Sequence, residues 1–458
     1  MKLESYNPSD SRLIGSVEIT TDKELADNIK SAKEAQLAWA ALSLEKRLQH
    51  MQSIATIVEK NKEQLADLIA TEMGMPINEA TRSDVDSGLH YLKWYIENAV
   101  ECLRAETTYE TDGEVHKVFY EPKGVVASIV PWNFPFSNFV WQGCQNLIVG
   151  NAVVMKHSEL TPLCSNFIAE LVAKSTLPKN VFIMIYGDGA VGEKLAKSDG
   201  INHICFTGST KVGKHLYKVA ADKFISATME LGGSAAGIVF ADANIDKAVD
   251  TIFISKFTNC GQICDGLKRL IVHTSIYDKI VKRLSEIVKS KKVGDASNKD
   301  TDIGPLVSKA QLDAISEQVE DAKKRGATVI TGGKKLDTSD GNYYEPTLLG
   351  NISTDARVWC EEAFGPVLPI KQFKTIDEAI ALANDTQYGL GGYVFTEDAK
   401  VFERVAREIK TGMVAWNELY YVIPQDPFGG YKESGLGRNH ARWGFQELCN
   451  IKVVTFRK

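Results

Sequence analysis

No apolar run in this chain is long enough to cross a membrane. The basic excess that marks a nucleic-acid binder is missing as well. Its 53 Lys and Arg against 59 Asp and Glu leave a net charge of −6, which offers no electrostatic footprint for a polyanion. The first eight residues carry neither an apolar stretch nor an Arg-rich amphipathic pattern. Secretion and organelle import are therefore not expected, and the cytosol is the default. None of the eight cysteines forms a C-x-x-C pair, and the eight histidines do not cluster with them. This spacing argues against a metal site and against a disulfide framework. There is no fixed-period repeat and no low-complexity linker. What remains is a chain of 458 residues, 44% hydrophobic and 24% charged, the composition of a globular protein with two or three domains.

Residues 22–105 read as helices. Thr21 and Glu24 have the spacing of a capping box, and Leu25, Ile29, Ala32, Ala35 and Trp39 repeat at helical intervals. Two more helical stretches follow at 43–73 and 78–105. Residues 107–123 change to a hairpin pattern around Thr111-Asp112-Gly113. From 124 onward, buried-strand runs at 125–130, 151–156, 181–186 and 203–206 alternate with helical segments, as βαβ units of a parallel sheet do. A second series starts at 236–240 and includes 270–273 and 327–330. The restart and the Gly232-Gly233 pair set a domain boundary near residue 233.

Two segments carry possible nucleophilic chemistry. Cys264 lies in Asn259-Cys260-Gly261-Gln262-Ile263-Cys264, and Glu230 precedes Leu231-Gly232-Gly233. A thiolate attacks carbonyl carbon and a carboxylate activates water, so the pair suggests formation and hydrolysis of a thioester. A packed core cysteine and a solvated glutamate are the plain alternatives. Asn133, in Pro131-Trp132-Asn133-Phe134-Pro135, either donates its amide to an oxyanion or serves as a turn residue.

Two glycine motifs compete for a phosphate. Gly187-Asp188-Gly189-Ala190-Val191-Gly192 is a literal G-x-G-x-x-G, but the strand after it ends without the acidic residue that holds a ribose. Gly208-Ser209, in Phe206-Thr207-Gly208-Ser209-Thr210, also joins a strand to a helix and is the better candidate. An ordinary capped turn explains it equally well.

Taken together, these motifs resemble the aldehyde dehydrogenase superfamily. The matching segments are 131–135, 156–162, 206–210, 230–233, 261–264, 362–367 and 427–435, in the family's order and spacing. The resemblance implies an α/β fold with a Rossmann-like NAD-binding domain, an α/β catalytic domain and a small β oligomerisation arm. The implied boundaries are 1–106 and 124–232 for the first, 233–433 for the second, and 107–123 with 434–458 for the arm and C-terminal segment. It implies Cys264 as nucleophile, Glu230 as base for the hydrolytic step, and Asn133 with the Cys264 N–H as oxyanion site. It places Trp132, Lys156, Glu159, Gly208, Ser209, Glu362 and Phe364 around the cofactor, with Gly208-Ser209 at the pyrophosphate and the Gly187 segment near the adenine. A carboxylate at Glu159 suits ribose hydroxyls and repels a 2′-phosphate, so NAD is expected over NADP.

Length and the run 443–452 look like bacterial succinate-semialdehyde dehydrogenase relatives. That subgroup places arginine where this chain has Trp141, and often where it has Thr258. Here Phe134, Trp141, Thr258, Val422 and Phe428, with Tyr420 and Tyr421 near the rim, suit an apolar aliphatic or aromatic aldehyde. Asn138 and Asp265 add polarity. Succinic semialdehyde is the alternative substrate. Cys260 either forms a regulatory bridge with Cys264 or packs as a small residue. A Cys-His hydrolase lacks a histidine in a recognisable setting. A structural protein on this fold has no use for Cys264, Glu230 and Asn133 together. Paired strand edges in the arm imply a homodimer or homotetramer, and no nucleic acid, membrane or metal partner is expected.

Overall fold

The computed structural model of the chain describes residues 1–336, 341–418 and 422–458. Its first large sheet has six strands in the spatial order Gly435–Leu436, Ser226–Glu230, His203–Thr207, Val125–Ile129, Ala152–Lys156, Phe182–Ile185. All neighbours run parallel except the first pair. Val125–Ile129 and Ala152–Lys156 are buried on both faces, which is why they read as unbroken apolar runs. Val125, Ala127 and Ile129 pack toward Leu25, Ile29 and Leu216, while Val126 and Val130 pack toward Ile54, Leu92 and Phe139. One alternation thus feeds two helical layers. The helix Asp22–Ala40 on one of them starts at the predicted box: Thr21 accepts from the Glu24 N–H, and Glu24 accepts from the Thr21 N–H.

The second sheet has seven strands, ordered Thr328–Thr331, Thr347–Gly350, Val367–Phe373, Leu267–His273, Ala235–Val239, Gly392–Phe395, Ala415–Trp416. The sequence pattern had put 327–330 in the parallel series. It is instead an antiparallel edge strand, half-exposed and paired to Thr347–Gly350; an edge needs cover on one side only, so it can reverse direction. The third sheet joins Glu106–Glu110, Glu114–Pro122 and Cys449–Arg457 as antiparallel neighbours. From residues 434–458, expected as arm and C-terminal segment, Cys449–Arg457 is the strand that joins this sheet. Gly435–Leu436 joins the six-stranded sheet, and the helix Ala441–Glu447 packs on the helix Ser87–Cys102 through Phe445 and Tyr95.

The helical stretch at 43–73 breaks at Asn61 into Leu44–Lys60 and Lys62–Met73. The stretch at 78–105 contains a widened, π-helical turn at Ala80–Asp86, and a second one occurs at Phe139–Cys144. Such turns re-aim side chains and recur at functional sites. The first turn presents Asp84, fully buried, whose carboxylate accepts from the N–H groups of Phe136 (3.1 Å) and Ser137 (2.7 Å). It thereby anchors the chain just after Asn133.

Burial pushes the Asp84 carboxyl up to about 6, against the pull of the Ser137 and Phe136 bonds. Its folded value lies above its unfolded one. The folded state therefore holds the proton more tightly, and this stabilisation is present below about pH 4 and is lost as pH rises through about 6. Relative to Asp84→Asn, the wild-type protein is expected to lose about 3 kcal/mol of stability across that window. Paired thermal melts of the two proteins at several pH values check this; parallel melting curves would refute it.

Candidate functional site

The main cleft, of about 490 Å³, draws its walls from both large sheets. In the six-stranded sheet it opens at the carboxyl ends of the strands. Trp132 and Asn133 follow Val125–Ile129, Gly208 and Ser209 follow His203–Thr207, and Glu230 ends Ser226–Glu230. From Val125–Ile129 the chain steps outward to Ala152–Lys156 and Phe182–Ile185, then returns to lay His203–Thr207 on the other side of Val125–Ile129, and such switch points are where open α/β sheets bind ligands.

Glu230 and Cys264 meet because the chain between the sheets is stripped of side chains. A Cβ on Gly233 would collide with the carbonyl of Cys264. Ahead of Cys264 the backbone turns through three left-handed residues, Asn259 (φ 52°), Cys260 (φ 54°) and Gly261 (φ 75°). Non-glycine residues in this region cost about 1–3 kcal/mol each, so the surroundings must hold them. Glu79 accepts the Asn259 N–H at 2.7 Å, and Lys268 donates to the Gly261 carbonyl at 3.0 Å. Asn259 donates to the Asn133 carbonyl at 2.9 Å, while Asn133 Nδ2 donates to the Gln262 carbonyl at 3.0 Å. Asn133 and the cysteine turn are therefore laced together from both sides. The second Nδ2 proton of Asn133 remains for the cleft.

Cys264 lines the cleft, and its Sγ lies 3.6 Å from Asp265 Oδ1. Burial raises its thiol well above the ordinary range, the carboxylates of Asp265, Glu362 and Glu230 add to this, and Lys268 opposes them. Glu230 is also raised well above a normal carboxyl, chiefly by burial, with Arg438 pulling the other way. Neither of its oxygens has a hydrogen-bond partner among the described residues. Burial thus opposes ionisation of both groups. Cys260 belongs to the core around the seven-stranded sheet and is absent from the cleft wall, a placement that supports packing over a bridge to Cys264.

Trp132, Gly208, Ser209, Glu362 and Phe364 line the same cleft. The Trp132 and Phe364 rings meet edge to face at 5.6 Å, and Glu362 accepts the Gly233 N–H at 3.1 Å. Lys156 and Glu159 do not line it. They form an ion pair of 2.9 Å just past the end of Ala152–Lys156, with Lys156 buried. The two glycine motifs separate cleanly. At Gly187 the helix Gly189–Lys197 is already capped by a carboxylate of the chain, since Asp188 accepts from Ala190 (2.9 Å) and Val191 (3.4 Å). A phosphate there would face that charge. The helix Thr210–Asp222 is capped by the neutral Ser209 hydroxyl, so its positive end can take an anion. The residues at hand therefore fit a dinucleotide whose pyrophosphate lies at Gly208-Ser209.

The other end of the cleft holds Phe134, Trp141, Thr258, Val422 and Phe428 together. Tyr420 and Tyr421 fall outside the described residues. Two further lining residues escaped sequence reasoning, Tyr91 and His440. The His440 ring packs at 4.7 Å from Tyr91, 5.5 Å from Trp141 and 5.7 Å from Phe428. Burial lowers it to about 3, so it is a neutral wall. Tyr91 was one apolar position among many in a helix, and His440 sits in no motif, so nothing local announced either. Arg82 is the one cation among the described lining residues, and it is exposed.

The sequence model of the aldehyde dehydrogenase family matches residues 1–454. A mitochondrial succinate-semialdehyde dehydrogenase of Oryza sativa subsp. japonica is 34% identical over 453 residues, covering 99% of this chain and 86% of its own length. Among solved structures, an NADP-dependent enzyme of E. coli superposes with a TM-score of 0.97 at 31% identity, over 100% of this chain and 95% of that one. The NAD+ complex of an aldehyde dehydrogenase from Bacillus cereus does so with a TM-score of 0.96 at 30% identity, over 100% and 93%. A family match over nearly the whole length, joined to a two-sheet cleft with a cysteine and a glutamate at its centre, makes this chain a member of the aldehyde dehydrogenase family, an enzyme that oxidises aldehydes with a nicotinamide cofactor.

Proposed function

We propose that the chain oxidises an uncharged, apolar aliphatic or aromatic aldehyde to its acid, with NAD preferred over NADP and water as second substrate. The observation that carries this reading is the meeting of Cys264, Glu230 and Asn133 in one cleft whose far end is walled by aromatic rings. Cys264 gives up its proton to solvent, and its thiolate Sγ adds to the aldehyde carbon as the carbonyl π bond opens. The oxyanion that develops is held by the free Asn133 Nδ2 proton and the Cys264 backbone N–H. The bound nicotinamide supplies the hydride acceptor. Cys264 then carries a thioester, and Glu230 takes a proton from the water that hydrolyses it.

Trp132, Gly208, Ser209, Glu362 and Phe364 would hold the cofactor, with Lys156 and Glu159 at the adenosine ribose. The Glu159 carboxylate supports the NAD preference, because a 2′-phosphate would meet it. The solved relatives include both an NADP-dependent enzyme and an NAD+ complex, so cofactor choice is a property to measure. Residues 1–106 and 124–232 would form the cofactor domain, and 233–433 the catalytic one. Ile451 and Val453 expose 68% and 62% of their surface on an outer strand of the three-stranded sheet, which supports association into a dimer or a dimer of dimers. No helix among the described residues is long and apolar enough to cross a membrane, and the cytoplasm is the proposed location.

Succinic semialdehyde is the second reading, favoured by the rice relative and by Arg82 at the cleft. Asp265 beside Cys264 opposes an anionic tail. A steady-state panel of hexanal, benzaldehyde and succinic semialdehyde, each with NAD and NADP, separates the readings. The expected result is a kcat/KM about tenfold or more higher for the uncharged aldehydes, and higher with NAD. A large advantage for the semialdehyde, or equal use of NADP, would overturn the respective half.

A further inference from the structure

Lys268 is the second residue of the strand Leu267–His273 and is 1% exposed. A buried ammonium is costly unless its charge is used. Its Nζ donates to the Gly261 carbonyl at 3.0 Å, within the left-handed turn that carries Cys264. The same Nζ stands 4.7 Å from the centroid of the Phe364 ring, a cation–π distance. No carboxylate lies within ion-pair distance of it among the described residues. Lys268 therefore links, from behind the cleft wall, the turn that leads to Cys264 and the Phe364 ring.

We propose that Lys268 is a positioning residue for the reaction, a buried cation that clamps the Gly261 carbonyl and the Phe364 ring and whose charge favours the thiolate of Cys264. The proposal rests on the assignment of Cys264 as nucleophile. The charges facing the thiol come from four elements: Asp265 beside it, Glu230 from the neighbouring sheet, Glu362 from the loop ahead of Phe364, and Lys268 from its own strand. Three of these oppose ionisation, and Lys268 alone favours it. Burial lowers the Lys268 ammonium, and Glu362, Cys264 and Asp265 oppose that; Lys256, from the helix Ile245–Phe257, donates to the Ala363 carbonyl at 3.3 Å and is lowered by burial and then by Lys268.

Two variants separate charge from hydrogen bond. Lys268→Gln keeps a donor for the Gly261 carbonyl and loses the charge, and Lys268→Met loses both. The readout is the pH dependence of Cys264 alkylation by iodoacetamide in the cofactor-free protein, followed by mass mapping of the Cys264 peptide because Cys360 is an exposed competitor. In both variants the midpoint is expected to rise by about one pH unit. Binding of reduced cofactor, followed by its fluorescence, is expected to weaken several-fold. An unchanged midpoint in a folded Gln variant overturns the proposal. So does a Gln variant that fails to fold, since Lys268 is then a structural anchor only. Activity measurements on Cys264→Ala test the nucleophile separately, so failure of that assignment stays distinct from failure of the clamp.

Discussion

Cys264→Ala is expected to lower aldehyde oxidation by about four orders of magnitude or more, to the level of the uncatalysed background. Without Sγ no covalent adduct forms, and a hydride has no tetrahedral carbon to leave from. The loss is expected without unfolding. Cys264 is only half-buried, its one side-chain hydrogen bond among the described residues is the long contact to Asp265, and the bonds that hold the left-handed turn come from Glu79, Asn133 and Lys268. Gly208, Ser209, Glu362 and Phe364 remain in place, so cofactor binding should persist. Cys264→Ser is expected to fare little better, because a hydroxyl ionises far less readily than a thiol. Steady-state rates, a thermal melt and a cofactor titration on the same preparations provide the check. Residual activity above about one hundredth of wild type would remove Cys264 from the nucleophile's role.

Glu230→Gln is expected to divide the reaction in two. The first turnover should release about one equivalent of reduced cofactor per site, and steady-state turnover should then fall by about 10²–10⁴-fold, because water attack lacks its base. The stalled enzyme should carry an acyl group on Cys264, seen as an added mass of the intact protein. The substitution is close to isosteric. Since the Glu230 oxygens have no hydrogen-bond partners among the described residues, it breaks no bond there. The pH dependence has a definite sign. Burial raises the Glu230 carboxyl above its ordinary value, and only its ionised form accepts a proton. Wild-type turnover limited by this step should therefore fall as pH drops through that raised value, and the variant should lose the dependence. A variant with neither a burst nor an acyl adduct would place Glu230 before thioester formation, or outside the chemistry.

Much of this was readable from local pattern. The capping box at Thr21, the hairpin around Asp112-Gly113 and the buried strands at 125–129 and 152–156 are set by short-range forces, and each lies where the pattern put it. The strand Ser226–Glu230 was not readable. Its Ser-Ala-Thr-Met-Glu run has no strong alternation, and its neighbours impose the strand by pairing. The edge strand at 328–331 had the right type and the wrong direction, because direction is chosen by which partner is free.

The candidate site divides along the same line. Cys264, Glu230, Asn133 and the cofactor residues announce themselves by motif, since each needs a particular chemical group on a particular turn. That Asp188 blocks one helix end while Ser209 leaves another available follows from side-chain rotamers at two similar turns. Tyr91 and His440 are 349 positions apart in the chain yet their rings lie 4.7 Å apart in the fold, and the Lys268 Nζ lies 4.7 Å from the Phe364 ring centroid. Residue order thus established the reaction class, through groups whose chemistry is intrinsic to them. The packing of two sheets against one another established the shape of the aldehyde pocket and the charges around the thiol, because distance and burial between remote residues exist only once the chain has folded.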